Sequence, residues 1–405
     1  MNQLFSIIRF FKLQTPPEIT KTASIIKYYL SREGRKYLRR DLQAQLLYLK
    51  NNEYGIPEPL INYTIFRFWI YPSYWRYQFT KILRLLGLWY PESRLKNSQR
   101  RYLTGRPDPL AGMGHQLSNW NAALIYSRKY NLQFVHQPLS IAGGYNWEEF
   151  LDFGNGELIY DEIINDKSIK RVNLPRVRWI KEDKVGQHIV SEIINFAYPD
   201  SNILFQLTSD CTAPNVYDHT PSSQILRMKY SNARAKNPIN SDFKKDGLNI
   251  ACHVRRGDIV TTKSEDVNLQ KRWIDNAYFI KIVNTIERLL SEHKIYIHVF
   301  SQGARENFRD FEKLNNVVYH LDEDQYKTFH SMVIADILLL SPSSFSYKAG
   351  MISSGIKIAR YPWWHEIPDN SEWIRSDENG NFNTYPLIER YSKQSNATID
   401  PKTVQ

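Results

Sequence analysis

Hydrophobic positions are most regularly spaced between residues 249 and 359. Residues 249–254 (NIACHV) form an apolar run of strand length, and 295–300 (IYIHVF), 317–321 (VVYHL), 337–340 (ILLL) and 356–359 (IKIA) repeat that signature. Between them, apolar residues fall at helical spacing, most clearly Phe279, Ile282, Val283, Ile286, Leu289 and Leu290 within 277–293. Helices are also predicted over 305–314, 324–335 and 345–353. Strand and helix alternating in this way predict a parallel, doubly wound α/β sheet. Ligands on such sheets bind beyond the carboxyl ends of the strands. That rule selects the loops at 253–258, 301–303 and 341–346.

The rest of the chain patterns differently. Residues 101–230 read as a glycine loop, a helix and mixed strands, and 231–247 (SNARAKNPINSDFKKDG) as a polar linker. Residues 1–100 read as helical and basic, broken by Pro57, Pro59, Pro72 and Pro91. The expected units are therefore 1–100, an extension; 101–235, one Rossmann-like domain; 245–365, a second; and 366–405, a tail. The length of 405 residues accommodates such a division.

Charge refines this picture. Residues 1–100 hold 17 lysines and arginines against 6 acidic residues, and that balance equals the net charge of +11, so the remainder is neutral. A nucleic-acid enzyme is expected to carry basic character on its working domain, so nucleic acid is not an expected partner. A basic extension instead suits peripheral association with an anionic membrane. Residues 66–90, ten of 25 aromatic, could lie in a bilayer interface or pack as an aromatic layer on the main body. No uncharged apolar run reaches the ~18 residues of a membrane span, and residues 1–11 lack a secretion leader's features. A cytoplasmic location is the resulting expectation. The two cysteines, Cys211 and Cys252, are too few for a disulfide scaffold or a four-cysteine zinc site.

Candidate chemistry sits at the predicted loops. His253-Val254-Arg255-Arg256-Gly257-Asp258 places two arginines at a strand end, where a guanidinium matches phosphate oxygens in pairs. Asp258 could hold one arginine in place, although a solvated basic turn is the plainer reading of the same residues. Gly112-Met113-Gly114-His115-Gln116 opens a helix, and glycines there let backbone approach a phosphate. It is not a dinucleotide fingerprint, because Leu117 stands at the third glycine position. Ser341-Pro342-Ser343-Ser344-Phe345-Ser346 begins another helix, either as an anion site or as ordinary capping.

Taken in this order, the Gly-x-Gly-His-Gln turn, the His-x-Arg-Arg-Gly-Asp strand end and the run Ala-Asp-Ile-Leu-Leu-Leu-Ser-x-Ser-Ser-Phe-Ser resemble the GDP-fucose-dependent fucosyltransferases of the α1,2, α1,6 and protein O-linked types. The similarity covers about residues 101–365 and is dense only at these loops. It implies a GT-B fold, with two Rossmann-like domains facing across a cleft. It also implies an inverting, metal-independent transfer of fucose from GDP-fucose to a glycan or other acceptor hydroxyl. No cofactor is implied, since GDP-fucose is the donor substrate.

By resemblance, Arg255 holds the donor's β-phosphate and stabilises the leaving GDP. Arg256 and Asp258 complete the catalytic group, and His253 lies near the guanine. Gly112, Gly114 and His115 supply contacts to the diphosphate. Ser343, Ser344, Phe345 and Ser346 form the turn that closes over it. Where α1,6-type members place a guanine-reading aspartate this chain has Thr328, with His330, Asp322 and Asp324 nearby. Lys263 stands where a catalytic carboxylate is expected, with Glu265 and Asp266 following, so no general base is assigned.

Other groups carry less. His365-Glu366 and His219 lack a helical metal-ligand partner and read as surface or cleft polar groups. Trp147, Trp363 and Trp364 suit either acceptor-sugar stacking or packing. Asn62 and Asn396 begin glycosylation-type tripeptides, expected to be chance. The alternatives to fucosyl transfer are transfer from another nucleotide sugar, and non-catalytic binding of a sugar nucleotide or polyanion.

Overall fold

The computed structural model describes residues 100–392 except 110, 175–193, 195–201, 208–218, 258, 260–271 and 364. The basic extension, its aromatic stretch, Asp258, Lys263, Glu265, Asp266, Cys211, Trp364, Asn62 and Asn396 lie outside the described residues.

Among the described residues, strands gather into two all-parallel sheets. The first has four strands in the order β2-β1-β4-β3: β1 Arg101–Gly105, β2 Gln133–Phe134, β3 Ile169–Asn173 and β4 Asn202–Leu207. Helix α1, Met113–Lys129, connects β1 to β2, and the short helices α2 (Trp147–Phe150) and α3 (Tyr160–Ile164) precede β3. The second has six strands in the order β10-β9-β8-β5-β6-β7. They are β5 Leu248–His253, β6 Ile295–Ser301, β7 Val317–Leu321, β8 Ile337–Leu340, β9 Ile356–Arg360 and β10 Trp373–Ser376. Between the two sheets runs α4, Ser223–Lys236; α5 (Asn276–Leu289), α6 (Gln325–Ile334) and α7 (Ser344–Ile352) connect strands of the second, and α8 (Tyr385–Ser392) follows β10. This is the two-sheet α/β arrangement of a GT-B fold.

The predicted alternation has a direct physical origin. The strand β8 is apolar throughout, and β5 is apolar over Ile250–Cys252, because each is flanked by strands on both edges and covered on both faces. In α5, Tyr278, Phe279, Ile282, Val283 and Ile286 are buried on one stripe, as helical spacing requires. One apolar cluster runs across the seam, from Leu117 and Trp120 of α1 through Trp147 and Phe150 to Phe329, Tyr347 and Met351. The two sheets therefore share a core where α1, α4, α6 and α7 meet.

Residues 305–313 form the expected helix, of 3₁₀ type, with Phe308 and Phe311 buried. Two expectations need correction. The first six residues of the expected linker are helix, since α4 continues to Lys236, and its Arg227 donates to the carbonyls of Met351 and Ser353 near the end of α7. Residues 366–392 are not a tail: β10 extends the second sheet, and Leu387 and Tyr391 of α8 are buried. The strand Trp373–Ser376 carries Arg375 and Ser376 and so lacks the continuous apolar run that marks β8, and the eight residues of α8 give little helical periodicity.

Candidate active site

The carboxyl end of β5 is stitched to both neighbouring strands. Ser341, just beyond β8, donates its hydroxyl to the His253 carbonyl (2.6 Å) and accepts the Arg255 amide (2.9 Å). On the other side, the Val254 amide donates to the Phe300 carbonyl (2.9 Å), and Ser301 donates to the Val254 carbonyl (2.6 Å). Gly257 adopts φ +49°, a left-handed conformation that favours glycine, and the Gln302 side chain of the neighbouring strand-end loop lies against it.

Arg255 reaches out of this loop to α7. Its Nη1 donates to Ser343 Oγ (3.0 Å), and the same oxygen accepts the Phe345 amide as the cap of α7 (3.3 Å). Gly112 is the cap residue of α1 and Gly114 lies in its first turn, so the expected loop is already helix. Gly114 abuts the start of α7: a Cβ on it would lie 2.7 Å from both the carbonyl carbon and the Cβ of Ser344. Two helix N-termini and a guanidinium thus converge on one point. Neither helix has an acidic residue in its first turn. Each terminus carries about half a positive charge, so the arrangement suits an anion with several oxygens.

The remaining predicted residues divide. His253 is half-buried at the mouth of the loop, and burial together with the nearby Arg255 cation lowers its pKa to about 3, so it is a neutral imidazole at pH 7. His115 and Gly112 are exposed at the start of α1. Phe345 packs between Phe329 (5.4 Å) and Trp147 (5.8 Å), joining the two halves of the seam. Ser346 is buried, and its hydroxyl donates to the carbonyls of Ser341 and Ser343, which commits it to the turn's own backbone.

Arg256 does not accompany Arg255. It is buried at 4% exposure, lies 3.8 Å above the Trp273 ring, and donates to Asn276 Oδ1 (2.7 Å) and the Arg255 carbonyl (2.9 Å). Burial lowers its pKa to about 10, with Asp275 opposing that shift. The structure places it as the support behind Arg255.

The acidic turn is internally engaged: Asp322 accepts the Gly303 amide (3.0 Å), Glu323 pairs with His320 (2.9 Å), and Asp324 caps α6. Thr328 is half-buried on α6, and His330 bonds the Tyr230 hydroxyl (2.5 Å). Trp147 is a core residue, 1% exposed. His219 and His365, expected as surface or cleft polar groups, are buried at 0% and 1% exposure, because both pack against Tyr347 of α7. Ser341 belonged to a quoted motif but to no predicted site; its strand-end position was the available signal. No group of three metal-ligating side chains occurs among the described residues. None of the helices there is long and apolar enough to cross a membrane.

No protein-family model matches the chain, and no curated protein does. Among solved structures it is similar to an Arabidopsis thaliana FUT1 mutant in complex with GDP, at 11% identity and a TM-score of 0.35, over 78% of this chain and 86% of that one. It is also similar to POFUT1 in complex with GDP, at 13% identity and a TM-score of 0.40, over 64% of this chain and 98% of that one. A third is E. coli heptosyltransferase WaaC with ADP, at 10% identity and a TM-score of 0.33, over 73% and 99%.

Proposed function

We propose that the chain is a glycosyltransferase that takes fucose from GDP-fucose and transfers it, with inversion, to a hydroxyl of a glycan or related acceptor. The observation that carries this is the convergence of Arg255 with the N-termini of α1 and α7. A nucleoside diphosphate is the ligand whose charge and oxygen count match that point. The choice of guanine and fucose comes from the motif resemblance alone.

In the reaction, the bond between the sugar's anomeric carbon and the β-phosphate oxygen breaks, and its electron pair leaves with the diphosphate. Charge grows on that oxygen as the sugar becomes oxocarbenium-like. Arg255, held by Ser343 and backed by Arg256, would stabilise that charge together with the two helix ends, all preorganised before reaction. The acceptor oxygen then bonds the opposite face of the anomeric carbon and releases its proton to solvent water. With positive charge supplied by the protein, no divalent metal is needed.

Calorimetric titration with GDP, ADP, UDP and pyrophosphate, followed by GDP-fucose turnover with and without candidate acceptors, tests the assignment. Preferential GDP binding with slow donor hydrolysis is expected. Binding of none of these ligands would refute a donor site here.

A further inference from the structure

We propose that His365 is a positioning residue that aims the Ser344 hydroxyl at the donor's diphosphate; this rests on the donor-site assignment above. His365 Nε2 stands 2.9 Å from Ser344 Oγ, at the first residue of α7 and beside Gly114. The imidazole has little freedom. It lies parallel to the Tyr347 ring, 4.1 Å between centroids and 1° between planes, with Trp363 edge-on at 5.3 Å. Across the seam, the His219 ring meets it edge-on at 5.7 Å. Tyr347 also donates its hydroxyl to the Glu366 carbonyl (2.6 Å), so one side chain holds both the His365 ring and the backbone next to it.

Proton placement gives this contact its consequence. A serine hydroxyl has one proton to donate and lone pairs to accept with. If Ser344 gave its proton to His365, the hydroxyl would turn only lone pairs toward an anion, which is repulsive. If Nε2 carries the proton and donates, the Ser344 proton is released for a phosphate oxygen. An anionic ligand therefore selects the form of His365 protonated at Nε2, and the packed ring keeps that donor in place. His365 contributes through Ser344.

The test is calorimetric binding of GDP and of pyrophosphate to the full chain, with melting temperatures recorded for every variant. His365→Phe keeps the ring stack and removes the donor; it should weaken GDP binding about tenfold, as loss of a well-aligned hydrogen bond to a charged ligand does. Ser344→Ala should lose a similar factor, and the double variant no more than either single one. His365→Gln, whose amide nitrogen reaches the place of Nε2, should recover binding, and the shorter His365→Asn should not. Wild-type GDP affinity in His365→Phe, or losses that multiply in the double variant, would overturn the inference. If His365→Phe does not fold, the Gln and Asn pair decides: equal affinities in the two overturn it. A wild-type chain that binds neither GDP nor pyrophosphate refutes the donor site itself, whereas GDP binding indifferent to His365 refutes only this role.

Discussion

Gly114 and Ser344 touch across the seam, and the contact has no room for a methyl group. A Cβ on Gly114 would stand 2.7 Å from the Ser344 carbonyl carbon and 2.9 Å from the Phe345 nitrogen, which are backbone atoms that cannot swing aside. Gly114→Ala should therefore push α1 from α7, at the ~1–3 kcal/mol typical of overpacking, lowering the melting temperature and GDP affinity together. Gly112→Ser has open space around it and a better capping side chain, so both quantities should stay at wild-type values. Scanning calorimetry and GDP titration check the pair; a wild-type-like Gly114→Ala would contradict the contact.

Arg255→Lys should be nearly as damaging as Arg255→Ala. Lysine keeps a charge but loses the planar fork that can grip Ser343 and two phosphate oxygens together. Loss of one preorganised donor costs about 10²–10³ in kcat, and kcat should fall more than KM rises because the leaving-group charge grows toward the transition state. The activity should survive EDTA. Steady-state kinetics with GDP-fucose measure both, and a fully active lysine variant or an EDTA-abolished, Mg²⁺-restored activity would count against the proposal.

Arg256 should behave differently from its neighbour. With its guanidinium buried on Trp273 and bonded to the Arg255 carbonyl, Arg256→Ala should lower the melting temperature by several degrees. Arg255→Ala should leave it nearly unchanged. Trp273→Ala should reproduce part of the Arg256 defect. Equal melting temperatures for the two arginine variants would show that Arg256 does not support the loop.

Stability should fall on acidification. Burial, aided by Arg255, holds His253 at about 3, and burial, aided by His320, holds His298 at about 4, against an ordinary value near 6.5. Above 6.5 both states are neutral. Between 6.5 and 4 the unfolded chain takes up protons that the folded chain refuses, so stability rises with pH across this window and is lost as pH falls through it. Asp242 opposes the shift of His298 and Lys244 reinforces it. Urea unfolding between pH 4.5 and 7.5 should show this slope, and His298→Gln should make it shallower.

We propose, from its charge alone, that the basic extension docks on an anionic membrane. Full-length protein should bind liposomes rich in acidic lipid, less so as salt is raised, and removal of residues 1–100 should abolish binding without abolishing GDP binding. Salt-independent binding, or binding retained after that removal, would point elsewhere.

Strand and helix in the second sheet were legible because burial on both faces writes continuous apolar runs, as in ILLL at 337–340, and one-sided burial writes the stripe of α5. The three loops were legible as candidates because parallel strands put ligands at their carboxyl ends. What sequence could not rank was which side chains turn outward from the loop and which turn into the fold. Arg255 and Arg256 are adjacent and chemically identical, yet one turns to Ser343 and the other onto Trp273; successive side chains after a strand diverge, and only distant partners decide which is outward. His365 offered no periodicity at all, because its partners Ser344, Tyr347 and His219 come from separate parts of the chain. Local patterning thus determined the elements and the chemistry available at their ends. Packing between elements remote in sequence decided the site, since hydrogen bonds and ring contacts depend on distances that no local spacing encodes.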